Sequence, residues 1–323
     1  MERIVITGAL GQLGTELTLR LRELYGNDAV LATDVRQHSG PVANGGPFRT
    51  LDVTEEGAIY EAAKAHGADA IVHLAALLSA TAEAKPMFAW QLNIGGLLQA
   101  LEAARALGCR LFAPSSIAAF GGGTPKFGTP QDTLQRPTTM YGVSKVAGEL
   151  LCDYYFHKYG VDARGLRFPG LVSHVAAPGG GTTDYAVEMY VEAVRTGSYV
   201  SYLAAGTYLD MMYMPDAIEA IVALMEADAA ALKHRNAYNV TAMSVDPERI
   251  AASIRRRIPN FELTYRIDPV RQRIADGWPS ALDASAAAEE WGFRPAYDLD
   301  GMTDDMLGKL AVRRREESER QSV

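Results

Sequence analysis

Residues 4–14 read Ile-Val-Ile-Thr-Gly-Ala-Leu-Gly-Gln-Leu-Gly, a short apolar run followed by glycines at positions 8, 11 and 14. The apolar run is typical of a buried strand, and the leucines at 13, 17 and 21 indicate one apolar face of a helix. Glycines between a strand and a helix let backbone approach a pyrophosphate, and the helix N-terminus supplies amide donors. The stretch therefore predicts a dinucleotide-binding α/β unit, with a plain tight turn as the alternative.

Strand-like and helix-like segments alternate outward from this unit through the first half of the chain. Strands are predicted at 3–7, 29–33, 48–51, 70–74, 110–114 and 162–167, and helices at 12–25, 54–66, 86–107 and 140–159. This alternation predicts a Rossmann-type, doubly wound parallel sheet with helices on both faces.

The pattern loosens after Pro169, where a loop over 176–183 precedes a helix over 184–195. A strand and helix over 211–224 and a strand over 237–240 return later. We expect a dinucleotide-binding domain formed by 1–170 and 207–242. A smaller mixed substrate-binding lobe is expected from 171–206 and 243–311, followed by a charged, frayed tail over 312–323.

An acidic residue ends the second predicted strand. Asp34 lies 20 residues after Gly14, where a carboxylate binds the adenine ribose hydroxyls. Its charge repels a 2′-phosphate, which favours NAD over NADP, although Arg36 keeps NADP as an alternative. Asp52 and Val53 follow the third strand, where they either contact adenine or cap the next helix. The sequence leaves both interpretations open.

Tyr141 and Lys145 are four residues apart in the helix predicted over 140–159. Residues at i and i+4 share one helix face. An ammonium held beside a tyrosine favours the phenolate and lowers the tyrosine pKa. The pair is therefore typical of a general base that removes a proton from an alcohol. A surface tyrosine and lysine on one face would have the same spacing, so the interpretation depends on the other motifs.

Ser115 and Ser116 follow the fifth predicted strand. Ligands of open α/β sheets bind at the carboxyl ends of the strands. A serine at this position can hydrogen-bond a substrate hydroxyl and orient it toward Tyr141. Two serines in an ordinary turn are the alternative.

Other residues near predicted strand ends suit a cofactor. The fourth strand closes with small and apolar residues against which a cofactor can lie: Leu74, Ala75 and Ala76. His73 before them is predicted to be a hydrogen-bonded core histidine. Asn93 lies in the middle of a helix, where a buried amide has a structural partner. Phe168 and Pro169 end the sixth strand, where the proline can set a turn under a nicotinamide.

Composition bounds the class of protein. The 323 residues are 48% apolar and 22% charged, which is an ordinary globular balance. The net charge is −8 without a basic patch, which argues against nucleic acid as a partner. No leader peptide and no apolar run of ~20 residues is evident, so we expect a cytoplasmic protein without a membrane partner. Cys109 and Cys152 lack metal-site spacing and are expected to be reduced core cysteines, with no metal bound.

Taken in order, the glycine turn, the acidic residue, the Leu-Ala-Ala strand end, the serine loop and Y-x-x-x-K resemble an extended short-chain dehydrogenase/reductase. The resemblance covers essentially the whole chain and implies an NAD-dependent oxidoreductase. It implies that Lys145 also binds the nicotinamide ribose, that Ser116 supplies the catalytic hydroxyl, and that Ser115 is an auxiliary. The residues implied to hold the NAD pyrophosphate are Gly8, Gly11, Gln12, Leu13 and Gly14.

Four further stretches resemble the short-chain type of L-threonine 3-dehydrogenase: Leu77–Ala80, Arg136–Gly142, Pro178–Tyr185 and Met211–Asp216. The resemblance implies oxidation of the L-threonine β-hydroxyl to 2-amino-3-oxobutyrate, with Tyr141 as general base. The implied substrate contacts are Ser79, Ser116, Tyr141, Gly181, Thr182 and Thr183. The main alternative is a nucleotide-sugar 4-epimerase or dehydratase, whose arginine for the nucleotide phosphates is replaced here by Leu209. A non-catalytic NAD-sensing protein is the second alternative.

The helices predicted over 86–107 and 140–159 carry apolar residues on more than one face: Phe88, Leu92, Leu97, Leu150 and Leu151. Relatives pair these two helices with their copies, so the resemblance implies a homodimer. The alternative is that the second apolar face packs within the subunit.

Overall fold

The computed structural model describes residues 1–37, 40–175 and 179–321. The strands are β1 (Ile4–Thr7), β2 (Val30–Asp34), β3 (Phe48–Thr50), β4 (Ala70–His73), β5 (Arg110–Phe112), β6 (Ser115–Ser116), β7 (Ala163–Arg164), β8 (Leu166–Phe168), β9 (Gly170–Val172), β10 (Ser198–Ser201), β11 (Leu209–Tyr213), β12 (Tyr238–Asn239), β13 (Met243–Val245) and β14 (Glu262–Tyr265). The helices are α1 (Gln12–Tyr25), α2 (Pro41–Asn44), α3 (Ala58–His66), α4 (Ser79–Ala84), α5 (Pro86–Trp90), α6 (Gly96–Leu107), α7 (Met140–Tyr159), α8 (Tyr185–Arg195), α9 (Met214–Glu226), α10 (Pro247–Arg255), α11 (Pro269–Asp276), α12 (Ser285–Trp291) and α13 (Leu299–Gln321).

The main sheet has the strand order β3-β2-β1-β4-β5-β7, and each neighbouring pair is parallel. Successive side chains of a strand point to opposite faces. Ile4 and Ile6 accordingly pack in one buried cluster with Leu17 of α1, whereas Val5 packs in another with Ile59 of α3. Both faces are covered, so the predicted doubly wound parallel sheet is confirmed. From β1 the chain first adds β2 and β3 on one side and then β4 and β5 on the other side. In open α/β sheets, ligands bind in the crevice at such a change of direction, which here lies at the carboxyl ends of β1 and β4.

The described residues also form smaller sheets, with the strand orders β12-β8-β6 and β13-β11-β9. The pairs β6–β8, β8–β12 and β9–β11 are parallel, whereas β11 pairs with β13 in antiparallel register. A further parallel pair joins β10 to β14. The chain therefore has a small mixed sheet, β13-β11-β9, in addition to the main parallel one. A third buried cluster, which includes Tyr185, Tyr190 and Met302, packs beneath it.

Helices α1 and α7 have the predicted bounds, but other elements differ. The helix predicted over 54–66 begins at Ala58, because the Asp52 carboxylate accepts hydrogen bonds from the Thr54 amide at 2.9 Å and its hydroxyl at 2.7 Å and holds a turn. The helix predicted over 86–107 is interrupted by a π-helical turn at Gln91–Gly95. The strand predicted over 162–167 is divided at Gly165 into β7 and β8.

The C-terminal segment is more ordered than predicted. Residues 312–321 continue α13 rather than fray, although their described side chains are exposed. An ion pair between Arg313 and Glu317, 3.0 Å apart and one helical turn along, stabilises this part of the helix. Of the predicted loop over 176–183, residues 176–178 lie outside the described part of the chain.

Two further observations concern the helices and the cysteines. Among the described residues, none of the helices combines the length and the apolar character of a membrane-spanning segment. Cys109 and Cys152 are both buried and free, as expected of reduced core cysteines.

Candidate active site

A solvent-open cleft of about 1110 Å³ lies at the carboxyl ends of the main strands. One end is formed by the glycine turn after β1, the floor by the ends of β6 and β8, and the other end by the segment before α8. The predicted site residues that line it are Gly8, Gly11, Gln12, Leu13, Gly14, Leu74, Ala76, Ser79, Ser115, Ser116, Tyr141, Lys145, Phe168, Pro169, Gly181, Thr182 and Thr183. The fold thus gathers into one cleft residues that are far apart in the sequence.

The glycine turn fits a dinucleotide. Gly8 has φ +70°, and a Cβ there would lie 2.7 Å from the Ala75 amide nitrogen, so only glycine allows this approach to the end of β4. A Cβ on Gly14 would collide with Gly8 and lie 2.9 Å from the Ala9 Cα. The absence of a side chain at Gly14 therefore lets α1 pack closely on the turn after β1. The N-terminus of α1 has neither a side-chain cap nor an acidic residue in its first turn. These residues leave an electropositive helix end toward the cleft.

Gln12 offers a second sign of a ligand. Its Nε2 is buried and has no hydrogen-bond partner among the described residues, although Gln12 lines the cleft. A buried donor without a partner is costly, and an acceptor on a bound ligand would satisfy it. The residues at this end of the cleft therefore fit a pyrophosphate-bearing cofactor such as NAD.

Asp34 lies at the end of β2, beside the glycine turn, with 5% of its surface exposed. Its carboxylate accepts hydrogen bonds from the Leu10 amide at 3.0 Å and from Arg36 Nε at 2.9 Å. Burial alone would raise the pKa of Asp34, but the hydrogen bonds from Arg36 and Leu10 outweigh it, and the pKa lies below its usual range. Asp34 is therefore ionised at neutral pH, and Arg36 is engaged with it.

Five predicted cofactor residues lie outside the cleft lining: Asp34, Asp52, Val53, Ala75 and Asn93. Val53 is buried in the core near Gly96, and Asp52 holds the turn that precedes α3. Asn93, in the π-helical turn, accepts a hydrogen bond from the Leu77 amide at 2.8 Å and donates to Ser144 Oγ at 3.1 Å. It therefore ties the segment after β4 to α7, the helix that carries Tyr141 and Lys145. Their contact with a cofactor stays a prediction.

Two further residues lie at the carboxyl end of β4. Ala75 packs against Gly8 at the turn. His73 is buried, its Nδ1 lies 2.9 Å from the Thr7 hydroxyl, and burial lowers its pKa to about 3, with a smaller contribution from the charge of Lys145. His73 is thus a neutral core histidine, as predicted.

Tyr141, Ser116 and Lys145 meet in the middle of the cleft. Burial raises the pKa of Tyr141 to about 12, and the nearby Ser116 hydroxyl offsets part of that rise. Lys145 Nζ lies 5.4 Å from the centroid of the Tyr141 ring and donates to the Pro114 carbonyl at 2.7 Å. Enclosure by protein lowers the pKa of Lys145 to about 8, against the opposing charge of Glu149. The protein groups alone therefore do not give the lowered tyrosine pKa that the spacing predicted.

Ser115 has a different partner from Ser116. Its hydroxyl donates to Glu149, which also accepts hydrogen bonds from Arg167 Nη2 at 2.8 Å and from Gln135 Nε2 at 2.8 Å. The Ser115 hydroxyl is thus hydrogen-bonded to Glu149, which forms a buried ion pair with Arg167. Ser116 is the serine that reaches Tyr141.

The far end of the cleft is formed by Ser79 at the start of α4 and by the turn before α8. The amides of Gly180 and Gly181 donate to the Asp184 carboxylate at 2.8 Å and 2.6 Å, so these two donors are already satisfied within the loop. Thr182 Oγ1, in contrast, is buried without a partner among the described residues.

Trp278 also lines this end of the cleft, and sequence reasoning missed it. It follows α11 in a Pro-interrupted region that carries no periodic signal, and it lies 137 positions after Tyr141 in the sequence. The sequence shows only an isolated tryptophan after a glycine that ends a helix. This pattern does not indicate which cleft the residue lines.

Comparison with known proteins agrees with this geometry. A model of the NAD dependent epimerase/dehydratase family matches residues 4–241. An uncharacterized epimerase/dehydratase of Staphylococcus haemolyticus is 62% identical over 309 residues, which cover 95% of this chain and 97% of that protein.

Solved structures are equally similar. L-threonine dehydrogenase from Clostridium difficile is 58% identical with a TM-score of 0.95, over 97% of this chain and 98% of that one. A monomeric L-threonine 3-dehydrogenase from a metagenome is 41% identical with a TM-score of 0.92, over 96% of this chain and 99% of that one. The predicted resemblance is confirmed: the chain belongs to the NAD-dependent epimerase/dehydratase family of extended short-chain dehydrogenases/reductases and is an NAD-dependent oxidoreductase.

Proposed function

We propose that this enzyme oxidises the β-hydroxyl of L-threonine with NAD, giving 2-amino-3-oxobutyrate, NADH and a proton. The observation that carries the proposal is a cleft in which Tyr141 and Ser116 lie between a dinucleotide-binding turn and a small polar end. The high similarity to solved L-threonine dehydrogenases over nearly the whole chain supports the same substrate.

Tyr141 is the proposed general base. Ser116 would hydrogen-bond the substrate hydroxyl and direct its proton toward the phenol oxygen, because both side chains line the middle of the same cleft. The glycine turn and Gln12 would hold NAD, which would supply the acceptor for the hydride of the β-carbon. The hydroxyl proton goes to Tyr141, so that the C–H and O–H bonds break as the C=O bond forms.

Lys145 supplies the charge that the base needs. An ammonium 5.4 Å from the Tyr141 ring stabilises the phenolate electrostatically. The main-chain carbonyl of Pro114 holds this ammonium at 2.7 Å, and α7 carries both side chains on one face. The proposal therefore assigns Lys145 a second role besides binding the nicotinamide ribose.

The substrate end is proposed to hold the amino and carboxylate groups. Ser79, Thr182 and Thr183 line it, and Thr182 Oγ1 is a buried hydroxyl without a partner among the described residues. A hydrogen bond from or to a substrate would remove the cost of that unpaired group.

A nucleotide-sugar substrate is less consistent with the site. Leu209, where an arginine would face nucleotide phosphates, is buried in β11 and pairs with Val245 of β13. The test is NADH formation from a panel of amino acids and nucleotide sugars by the purified protein. NADH from L-threonine supports the proposal, whereas interconversion of UDP-hexoses without NADH from L-threonine would establish the epimerase alternative.

We also propose domain boundaries. The NAD-binding domain comprises 1–170 and 207–242. The substrate-binding lobe comprises 171–206 and 243–311, and a charged tail follows over 312–323. This assignment is supported by the position of the glycine turn in the first part and of Thr182 and Trp278 in the second.

A homodimer through 86–107 and 140–159 is also proposed. Both segments present large apolar side chains to solvent: Phe88 is 49% exposed and Leu150 is 63% exposed. Val143 and Tyr154 extend the apolar surface of α7. Large apolar side chains exposed on neighbouring helices are typical of a protein interface. The similarity to a monomeric L-threonine 3-dehydrogenase makes the monomer the alternative.

A further inference from the structure

Lys126 lies on the segment between β6 and α7, outside the proposed catalytic set, yet it holds one loop by several hydrogen bonds. Its Nζ donates to the carbonyl oxygens of Asp276 and Trp278, the latter at 2.7 Å. Its own carbonyl accepts from the amides of Ser280 at 2.7 Å and Ala281 at 3.1 Å. Lys126 therefore binds both sides of the turn at whose centre Trp278 lies.

The indole of Trp278 belongs to the substrate end of the cleft. It is 6% exposed, lines the same cleft as Ser79 and Thr182, and packs in the buried cluster that contains Tyr141 and Tyr185. Helix α11 ends at Asp276, and the Trp278 amide donates to the Ala275 carbonyl of that helix at 3.1 Å. The Trp278 carbonyl is held by Lys126, so the lysine fixes the side of this residue that α11 does not.

The C-terminal side of the loop has supports of its own. The Asp283 amide donates to the Thr129 carbonyl at 2.9 Å, and the Leu282 amide donates to the Asp210 carboxylate at 2.7 Å. Loss of the Lys126 ammonium would therefore free the carbonyls of Asp276 and Trp278. The main-chain hydrogen bonds of the flanking residues would remain, so the change would be confined to the position of Trp278.

We propose that Trp278 is the aromatic wall that limits the size of the substrate end, and that Lys126 is the residue that positions this wall. The proposal rests on the proposed function for the identity of the occupant, a small β-hydroxy amino acid. The hydrogen bonds of Lys126 and the placement of the indole do not depend on that identity. An aromatic wall at this end would exclude longer β-hydroxy amino acids, and its displacement would admit them.

The test uses Lys126→Met, which keeps an unbranched side chain and removes the donor. Trp90→Phe and Trp291→Phe form the reference background, because the chain has three tryptophans and only Trp278 then remains. We expect acrylamide to quench Trp278 more strongly in the methionine variant. The KM for L-threonine should rise about tenfold, since a hydrogen bond from a charged group is lost, while kcat should change less than about threefold.

Two matched variants make the result specific. Lys126→Arg retains a charged donor and should restore both the quenching and the KM, whereas Lys64→Met, at an exposed position on α3, should change neither. The affinity for NAD should be the same in all variants. Unchanged quenching in Lys126→Met, a fall in kcat at constant KM, or a folding defect that arginine does not restore would overturn the proposal. If the reference protein gives no NADH from L-threonine, the proposed function fails, and the quenching alone decides the role of Lys126.

Discussion

The ionisation of Tyr141 and Lys145 leads to a defined pH profile. The pKa of Lys145 is lowered to about 8 and that of Tyr141 is raised to about 12, so the pair loses its first proton near pH 8 and its second near pH 12. When the pair has lost one proton, the proton is missing either from Lys145 or from Tyr141. The active form is the minor one, with Tyr141 as phenolate and Lys145 as ammonium. The ratio of the two forms does not change with pH, so the rate is proportional to the fraction of enzyme that has lost one proton.

The magnitude follows from these values. With a pKa of about 8 for the first proton, that state makes up about 9% of the enzyme at pH 7, about half at pH 8 and about 91% at pH 9. We therefore expect kcat for L-threonine to rise about tenfold between pH 7 and pH 9 and to change little between pH 9 and pH 10. A tyrosine that titrated alone at its ordinary pKa near ~10 would instead show a continuing rise through pH 10.

The assay is NADH formation at saturating NAD and L-threonine, with circular dichroism to establish that the protein stays folded. Tyr141→Phe removes the ionisable oxygen and should lower kcat by about 10²-fold or more, while NAD binding is retained. The amine of the substrate also titrates in this range, and a rise that persists in Tyr141→Phe would belong to the substrate. A rate that falls steadily from pH 7 to pH 9, or near-normal turnover by Tyr141→Phe, would refute the mechanism.

Three further predictions concern the cofactor, the glycine turn and the assembly. Asp34→Ser should raise the ratio of NADP to NAD turnover by about tenfold or more, since the carboxylate no longer repels a 2′-phosphate; equal use of both cofactors by the unaltered protein would contradict this. Gly8→Ala should reduce NAD affinity and cost more stability in thermal unfolding than Gly57→Ala. Both glycines have positive φ, which costs about 1–2 kcal/mol in alanine, but only at Gly8 would the Cβ meet backbone, 2.7 Å away. Leu150→Glu should convert a dimer to a monomer in light scattering, while Val312→Glu, 54% exposed on α13, should not; a monomeric parent protein would refute the dimer.

The amino-acid order alone predicts the parts of the site that depend on local structure. The glycines that follow an apolar run at fixed spacing are arranged by one strand and one turn, and one helix places Tyr141 four residues before Lys145. The acidic residue 20 positions after Gly14 reaches the glycine turn through the pairing of β1 with β2. Local hydrogen bonding fixes such elements, which is why α1 and α7 begin and end where the pattern predicts. The parallel direction of the strands in the main sheet follows from the alternation of apolar runs and helices.

The hydrogen-bond partners and pKa values of the site residues depend on tertiary packing, because each side chain is surrounded by residues from distant parts of the chain. Adjacent Ser115 and Ser116 alternate across the strand, so one meets Glu149 and the other Tyr141. Burial reversed the pKa shift expected for Tyr141, because removal of water around the phenol outweighs the charge that its spacing from Lys145 suggested. Trp278 reaches the same cleft across more than a hundred residues, since a long-range contact depends on how the whole chain packs and leaves no periodic trace in its own segment.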